Sequence, residues 1–204
     1  MIVVAAGSGS RFDSDKMLTP VDGLPLVAIT VARVKPHVDQ CVLVCRADQA
    51  ERIRGLDLGV TVAVGGPTRT TSEIAGVFAL VGSPQLIGIH DGARPNLSPP
   101  LLEELFETAR LTGGAVPVIP AGGLLLDRAT LSPIEGVMAA QTPQVFRGRE
   151  LAEAYRRADA EGFSSRDTAD LILEYTNLEV AAVDGDPTNI KVTYPSDLAL
   201  VIPL

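Results

Sequence analysis

The chain alternates short apolar runs with longer stretches in which apolar residues recur at helical spacing. The apolar runs predict strands at residues 2–6, 39–46, 60–66, 86–95, 114–121, 179–185 and 189–195, the fourth of which runs into a polar turn. The other stretches predict helices at residues 25–36, 48–56, 69–82, 98–113, 149–162 and 166–177, and a last helix that begins at Ser196. Ser98 followed by two prolines is a typical helix start.

This alternation of strands and helices predicts an α/β fold, in which a mostly parallel sheet carries helices on both faces. Several strands are continuous runs of Val, Ile and Ala, which is typical of strands covered on both sides. The sequence shows no internal repeat or linker, so residues 1–204 are interpreted as one domain. Because such sheets bind ligands beyond the carboxyl ends of their strands, the residues just after each strand are the best site candidates.

Residues 121–144 depart from the alternation. They hold two apolar patches, "LLL" and "VMAA", around a polar middle with Pro133 and Gly136, and they are long for a plain loop. The pattern predicts a β-hairpin arm that projects from the domain. An exposed apolar arm usually needs a partner that covers it, which favours an oligomer.

Composition narrows the possible functions. Of the 204 residues, 46% are hydrophobic and 21% charged, which indicates a globular protein with a sizeable core. The net charge of −8 argues against a nucleic-acid-binding surface but leaves room for a local basic pocket. No apolar run reaches the roughly 18 residues that span a bilayer. The start "MIVVAA" is too short for a signal peptide, so we expect a cytoplasmic protein with no membrane partner.

Cysteine and histidine indicate no disulfide and no metal centre. Cys41 and Cys45 share one face of a predicted strand roughly 13 Å apart, which is too far for a disulfide bond. His37 and His90 lack the spacing of metal ligands.

Two predicted strand ends have the small residues that let a nucleotide approach the backbone. The loop "AAGSGSR", followed by Lys16, would offer backbone amides and cations to phosphates. It has neither the Walker pattern nor the three-glycine dinucleotide spacing, so a plain turn remains an alternative. In "GGPTRTTSE", a flat base would stack on Gly65 and Gly66, and Ser72 would bind the base or ribose, unless Thr71 or Ser72 only caps the helix.

Two further strand ends bring acidic and basic residues together. In "HDGARP", Asp91 would hold a metal or a sugar hydroxyl and Arg94 a phosphate, unless the two form only a local ion pair. Lys191 lies on the predicted strand 189–195, where a solvated lysine is the ordinary interpretation. Because the sheet would bring all four ends into one cleft, together they predict a polyphosphate site.

Five motifs in this sequence are similar to those of a known family. "AAGSGSRF…K", "GGxxRxxS", "HDxARP", "QTPQVF" and "GDxxNIKVTxPxDL" occur in order over nearly the whole chain. In this the chain resembles the 2-C-methyl-D-erythritol 4-phosphate cytidylyltransferases of the non-mevalonate isoprenoid pathway, and ribitol-5-phosphate cytidylyltransferases share most of the motifs. The resemblance implies a Rossmann-like sheet. It also implies a Mg²⁺-dependent transfer of CMP from CTP to a polyol phosphate, with release of pyrophosphate.

The resemblance also implies roles for individual residues. Arg11, Lys16 and Lys191 match the catalytic cations, the first two on the triphosphate and the third near the attacking phosphate. The implied nucleotide contacts are Ala5, Ala6, Gly7, Ser8, Gly9, Gly65, Gly66, Ser72 and Asp91. The implied acceptor contacts are Asp91, Arg94, Thr142, Arg166 and Lys191. Mg²⁺ would be bound mostly by phosphate, with Asp91 as a weak ligand. The 121–144 arm is implied to form a homodimer and to reach over the neighbouring active site.

Several positions depart from the family pattern. Asp15 replaces the usual Pro before the lysine, and an acid paired with Lys16 would weaken its attraction for a triphosphate. Pro67 removes an N–H donor beside the glycine pair. Where the family has "DTxK", this chain has the residues "GLLL" at 123–126. Where the family has an arginine in the arm, the nearby residue of this chain is Ile134. Arg166 replaces a threonine and would partly restore a cation for the acceptor.

These departures leave three functions open. The first is an active cytidylyltransferase with 2-C-methyl-D-erythritol 4-phosphate as its acceptor. The second is a nucleotidyltransferase of the same fold with a different acceptor, such as ribitol 5-phosphate. The third is a catalytically weak relative that binds a nucleotide as a regulatory or scaffolding dimer.

Overall fold

The computed structural model describes residues 1–7, 9, 12, 15–123, 125 and 127–204. The strands are β1 (Ile2–Val4), β2 (Pro20–Val21), β3 (Leu24–Pro25), β4 (Val42–Cys45), β5 (Thr61–Val64), β6 (Leu86–Asp91), β7 (Gly113–Pro120), β8 (Met138–Ala140), β9 (Gln144–Arg147) and β10 (Glu179–Asp184). The α-helices are α1 (Leu26–Val34), α2 (Ala50–Arg54), α3 (Arg69–Phe78), α4 (Pro99–Thr112), α5 (Gly148–Glu161) and α6 (Thr168–Tyr175). Short 3-10 helices span Lys16–Leu18, Lys35–His37, Ala47–Gln49 and Pro195–Leu200.

One large sheet organises the chain. Its strand order is β10-β7-β9-β6-β1-β4-β5, with β8 beside β7, while β2 and β3 form a separate hairpin. β1 pairs in parallel with β4 and β6, β4 with β5, and β7 with β10. β9 runs antiparallel between β6 and β7. The predicted mostly parallel α/β sheet is confirmed, and β1, β4, β5 and β6 end at the same edge.

Alternate residues of the central strands point into two separate apolar layers. Val3 and Leu43 pack in the layer that contains α1 and α4. Their neighbours Ile2 and Val42 pack in the layer that contains α3, α5 and α6. Helices therefore cover both faces, which explains why these strands are apolar at every position. Within the described residues, every helix is too short or too polar to cross a bilayer.

The predicted strand at residues 189–195 is wrong, because this segment contains no strand. The Asn189 amide donates to the carbonyl oxygen of Asp186, which closes a turn. The Thr193 and Tyr194 amides both donate to Oδ2 of Asp197. These backbone donors are therefore used locally and cannot form a strand ladder. The last helix is a 3-10 helix that begins at Pro195 rather than at Ser196.

The segment after β7 forms the expected hairpin arm. β8 pairs antiparallel with the end of β7, and the Ala121 amide continues the ladder by donating to the carbonyl oxygen of Val137. Nearer the tip, the Ile134 amide donates to the carbonyl oxygen of Leu125. Residues 127–140 are exposed throughout. The arm ends earlier than predicted, since residues 141–144 are buried in the domain.

Helix α3 lies unusually close to the sheet and so fixes one wall of the strand-end cleft. Its N-cap is Thr68, whose side chain accepts from the Thr71 amide, and the Thr71 hydroxyl accepts in return from the Thr68 amide. The residue at the cap position is therefore Thr68, and Thr71, one of the two alternatives from the sequence, takes part in the cap from the third position of the helix. At Gly76, a Cβ would collide with Cγ2 of Ile2 and lie 2.9 Å from Cγ2 of Val44. The absence of a side chain at Gly76 lets α3 approach β1 and β4.

We expect Gly76→Val to destabilise the fold by about 1–3 kcal/mol, because the added methyl groups must displace β1 or β4 side chains. Phe78→Val, at an exposed position on the same helix, is the control and is expected to change stability by less than about 0.5 kcal/mol. Urea unfolding of both variants measures the difference. Equal stability of the two variants would contradict the close approach.

Candidate active site

The carboxyl ends of β1, β4, β5 and β6 surround a cavity of about 500 Å³. The residues proposed from the sequence that line this cavity are Ala5, Ala6, Gly7, Gly9, Lys16, Gly65, Gly66, Ser72, Asp91 and Lys191. Ser8 and Arg11, which the sequence also proposed, lie outside the described residues. The structure therefore brings all four predicted strand-end groups to one cleft.

The wall formed by the end of β5 is tightly packed. A Cβ at Gly65 would lie 2.6 Å from Cβ of Ala6 and 2.7 Å from Oγ of Ser72, so this approach requires glycine. The Ser72 hydroxyl donates to the carbonyl oxygen of Thr68 at 2.8 Å. Because its one proton is used there, Ser72 can offer a ligand only an acceptor.

Asp91 is the electrostatic centre of the cavity. Its Oδ1 lies 2.7 Å from Nη1 of Arg69, and its Oδ2 lies 2.7 Å from Nζ of Lys191. Nε of Arg94 is 3.8 Å from Oδ2. Burial opposes ionisation of Asp91, but the charges of Arg69 and Lys191 outweigh burial and hold the pKa of Asp91 well below its usual range. The ionised carboxylate therefore fixes Lys191 at the cavity.

Arg69, to which the sequence analysis gave no role, links Asp91 to a second buried acid. Its Nε lies 2.8 Å from Oε1 of Glu73, one turn further along α3. The Tyr155 hydroxyl donates to Oε2 of Glu73 at 2.8 Å. Burial raises the pKa of Glu73, and the Arg69 charge counters that rise. The sequence signal that could have found this pair is its i,i+4 spacing on a predicted helix.

Lys16 reaches the same cavity from the 3-10 turn at Lys16–Leu18. Its Nζ donates to the carbonyl oxygen of Val192 at 3.0 Å. A pair between Asp15 and Lys16 would weaken the attraction of this lysine for a triphosphate. In the described part of the chain, the Asp15 carboxylate instead pairs with Arg46 at 3.1 Å and with Arg52 at 2.6 Å.

Buried polar side chains hold the backbone of Asp91 in place through hydrogen bonds. The Asp91 amide donates to Oγ1 of Thr142 at 2.9 Å, and Oγ1 lies 3.1 Å from Nδ1 of His90. Nε2 of His90 lies 3.0 Å from the carbonyl oxygen of Arg94. A carbonyl oxygen only accepts, so Nε2 carries the proton and Nδ1 accepts from Thr142. Burial lowers the pKa of His90 to about 4, which keeps the ring neutral at pH 7.

Arg94 and Thr142, both expected to contact the acceptor, hold the segment that carries Lys191. Arg94 donates through Nη1 to the carbonyl oxygen of Asn189 at 2.7 Å. Asn189 donates through Nδ2 to the carbonyl oxygen of Thr142 at 2.9 Å. Neither Arg94 nor Thr142 is among the described residues that line the cavity. Their contact with an acceptor stays a prediction.

Arg166 is not among the described residues that line the cavity. Its side chain is 92% exposed and pairs with Asp170 at 3.2 Å. The neighbouring Asp167 caps α6 and accepts from Nε2 of Gln144 at 3.0 Å. The cation that the sequence suggested for the acceptor is therefore paired at the surface.

The described lining of the cavity does not form a metal site of its own. Asp91 is the one carboxylate among the described lining residues, and Arg69 and Lys191 occupy both of its oxygens. The described residues contain no group of three or more His, Cys, Asp or Glu side chains that could hold a metal. These residues therefore do not fit a resident metal ion.

Comparisons with known proteins agree on one family. Residues 1–202 match the family described as 2-C-methyl-D-erythritol 4-phosphate cytidylyltransferase. A protein of that name from Deinococcus radiodurans is 36% identical, with 98% of this chain and 86% of the relative covered. A bifunctional IspD/IspF enzyme from Granulibacter bethesdensis is 40% identical, and the chain spans only 54% of its length. The crystal structure of the Thermus thermophilus cytidylyltransferase has a TM-score of 0.84 and 30% identity, covering 98% of this chain and 96% of that one.

We expect Arg69→Met to destabilise the protein by about 3–5 kcal/mol, because it leaves Glu73 and Asp91 buried with fewer cationic partners. Arg69→Met combined with Glu73→Gln is expected to recover part of this loss, since one buried charge is removed. Arg156→Met, which breaks an exposed pair with Glu153, serves as the control. Urea unfolding measures the free energy of unfolding of all three variants. An Arg69→Met protein as stable as the control would contradict the buried network.

The lowered pKa of His90 predicts a pH dependence of folding. Between pH 6.5 and about 4, His90 is protonated in the unfolded chain but neutral in the folded chain. The free energy of unfolding therefore decreases as the pH falls through this window. From pH 7 to pH 5 the wild type is expected to lose about 2 kcal/mol relative to His90→Gln. His37→Gln, at an exposed histidine, is the control variant. Parallel profiles for wild type and His90→Gln, measured by urea unfolding, would exclude this linkage.

Proposed function

The chain belongs to the 2-C-methyl-D-erythritol 4-phosphate cytidylyltransferase family, and we propose that its strand-end cavity transfers CMP from CTP to 2-C-methyl-D-erythritol 4-phosphate. The reaction releases pyrophosphate and serves isoprenoid precursor synthesis. The observation that carries the proposal is the meeting of Lys16 and Lys191 at one cavity, where Nζ of Lys16 contacts the residue next to Lys191. Two cations that line the same cavity suit a polyphosphate better than a neutral ligand.

In the proposed reaction, a phosphate oxygen of the acceptor attacks the α-phosphorus of CTP. The bond from that phosphorus to the bridging oxygen breaks, and pyrophosphate leaves with the oxygen and the electron pair. The protein supplies position and fixed charge rather than covalent chemistry. Lys16 and Arg11 hold the triphosphate, and Lys191, oriented by Asp91 at 2.7 Å, lies near the α-phosphate and the attacking group.

The remaining lining residues suit the nucleoside and the phosphate chain. The backbone amides of Ala6, Gly7 and Gly9, which line the cavity, are available to the phosphates, whereas the Ala5 amide already donates to the carbonyl oxygen of Val44. The flat surface at Gly65 and Gly66 takes the cytosine, and Ser72 accepts a hydrogen bond from the base or ribose. Pro67, which also lines the cavity, offers no N–H, so the base is recognised there with one donor fewer.

Mg²⁺ enters this scheme as part of the substrate. The oxygens of Asp91 are already paired, so the ion is carried on the phosphates of CTP, where it neutralises charge on the leaving pyrophosphate. Asp91, Arg94, Thr142 and Arg166 remain the acceptor side of the proposal, along with Lys191.

The proposal includes a cytoplasmic homodimer that forms through the arm. The arm exposes large apolar side chains, which are unfavourable in contact with water. Four of them are 39–69% exposed: Leu131, Ile134, Val137 and Met138. In a dimer, the partner would cover this surface and close the acceptor side of the cavity.

Pyrophosphate release tests the function directly. Each of the four nucleoside triphosphates is offered with Mg²⁺ and either 2-C-methyl-D-erythritol 4-phosphate, ribitol 5-phosphate or no acceptor. Release that requires both CTP and 2-C-methyl-D-erythritol 4-phosphate supports the proposal. Release only with ribitol 5-phosphate, or CTP binding without turnover, would replace it with one of the two alternatives.

We expect Lys16→Ala and Lys191→Ala each to lower kcat/KM by about 10²–10³-fold, because each removes a fixed cation from the transition state. Lys35→Ala is the matched control, since Nζ of Lys35 donates to the carbonyl oxygen of Leu58 away from the cavity. Its turnover is expected to stay near wild type. Equal losses in all three variants would refute the site assignment.

A further inference from the structure

The carboxylate of Asp15, one residue before Lys16, is held by three side chains that are distant in sequence. Oδ1 of Asp15 accepts from Nη2 of Arg46 and from Nε2 of Gln49, both at 3.1 Å. Oδ2 accepts from Nη1 of Arg52 at 2.6 Å. The three donors come from positions 31 to 37 residues further along the chain. Asp15 therefore ties the start of the Lys16 turn to the segment that follows β4.

Asp15 is tied to the Lys16 turn through its backbone as well. Its carbonyl oxygen accepts from the Leu18 amide at 2.8 Å, which closes the 3-10 turn that contains Lys16. The side chain of Lys16 extends from the first residue of this turn, and its Nζ donates to the carbonyl oxygen of Val192 at 3.0 Å. A shift of Asp15 would consequently shift the backbone that aims Lys16.

The segment that holds Asp15 begins at the cavity and ends outside it. Arg46 and Ala47 line the cavity, and Gln49 is buried, whereas Arg52 on α2 is 61% exposed. The hydrogen bond from Gln49, followed by that from Arg52, lowers the pKa of Asp15 below its usual value. The carboxylate is therefore ionised at neutral pH and keeps all three partners.

We propose that Asp15 is a positioning residue, which with Arg46, Gln49 and Arg52 holds Lys16 against the triphosphate of CTP. This inference rests on the proposed function, because it assigns Lys16 to the triphosphate. Exposed ion pairs contribute little to the stability of a fold. The loss of this anchor is therefore expected to change nucleotide binding far more than it changes unfolding.

The neighbouring residue Arg54 makes a sharp control possible. Arg52 and Arg54 lie on the same short helix and are 61% and 47% exposed, but Arg54 pairs with Glu51 instead of Asp15. We expect Asp15→Ala and Arg52→Ala each to lower kcat/KM for CTP by about tenfold, the size of one charged hydrogen bond. Arg54→Ala is expected to stay within twofold of wild type, with the same Tm as Arg52→Ala.

A second comparison asks whether Asp15 acts through Lys16. In a Lys16→Ala background, Asp15→Ala is expected to cause no further loss of kcat/KM for CTP. The double variant Asp15→Ala with Arg52→Ala is expected to have the same kcat/KM as either single variant. Asp15→Asn, which keeps an acceptor, should lose less than Asp15→Ala. Additive losses with Lys16→Ala, or a loss in Arg54→Ala equal to that in Arg52→Ala, would overturn the inference.

Equilibrium binding of CTP, measured by titration calorimetry, separates this inference from the proposed function. If the wild type binds CTP but does not turn over with any acceptor, the proposed function fails. The anchor is then still supported by about tenfold weaker CTP binding in Asp15→Ala, and it is refuted by unchanged binding. Absence of CTP binding to the wild type refutes both.

Discussion

The charge of Asp91 is the constraint on which the rest of the site depends. A buried carboxylate is costly unless cations surround it, and here Arg69 and Lys191 each lie 2.7 Å from one of its oxygens. Arg69 is in turn held by the buried Glu73 on α3. The position of Lys191 at the cavity is therefore determined by the same network that keeps α3 on the sheet.

The fold could largely be predicted because its signals are local. Continuous apolar strands and helical periodicity predict the sheet, and the rule that ligands bind beyond the carboxyl ends of its strands predicts the cleft. The segment at residues 189–195 could not be predicted, because its apolar pattern resembles a strand while its amides bind Asp197. That competition between a side chain and the strand ladder depends on a turn geometry that periodicity does not contain.

The residue types at the candidate site could be predicted from the sequence, whereas the side chains and carbonyl groups that they bind within the chain could not. Small residues and lysines at strand ends indicated phosphate chemistry, and Lys16 and Lys191 do line the cavity. Arg94 and Asp15 instead bind other parts of the chain, at Asn189 and at Arg52. Sequence alone does not distinguish a charged side chain that faces a ligand from one that holds a loop, because both are charged residues near a strand end.

The direction of β9 has a consequence for how the site and the arm can change together. A strand that runs against its parallel neighbours begins at the edge where they end, so the chain returning from the arm enters the sheet beneath the cavity. Thr142 lies in that returning segment, and its hydroxyl accepts from the Asp91 amide. Thr142 is only two residues beyond the end of the exposed arm at residue 140, so a change in the length of the arm would be expected to alter the position of Asp91. Thr142 therefore links the segment that returns from the arm to the backbone that carries Asp91.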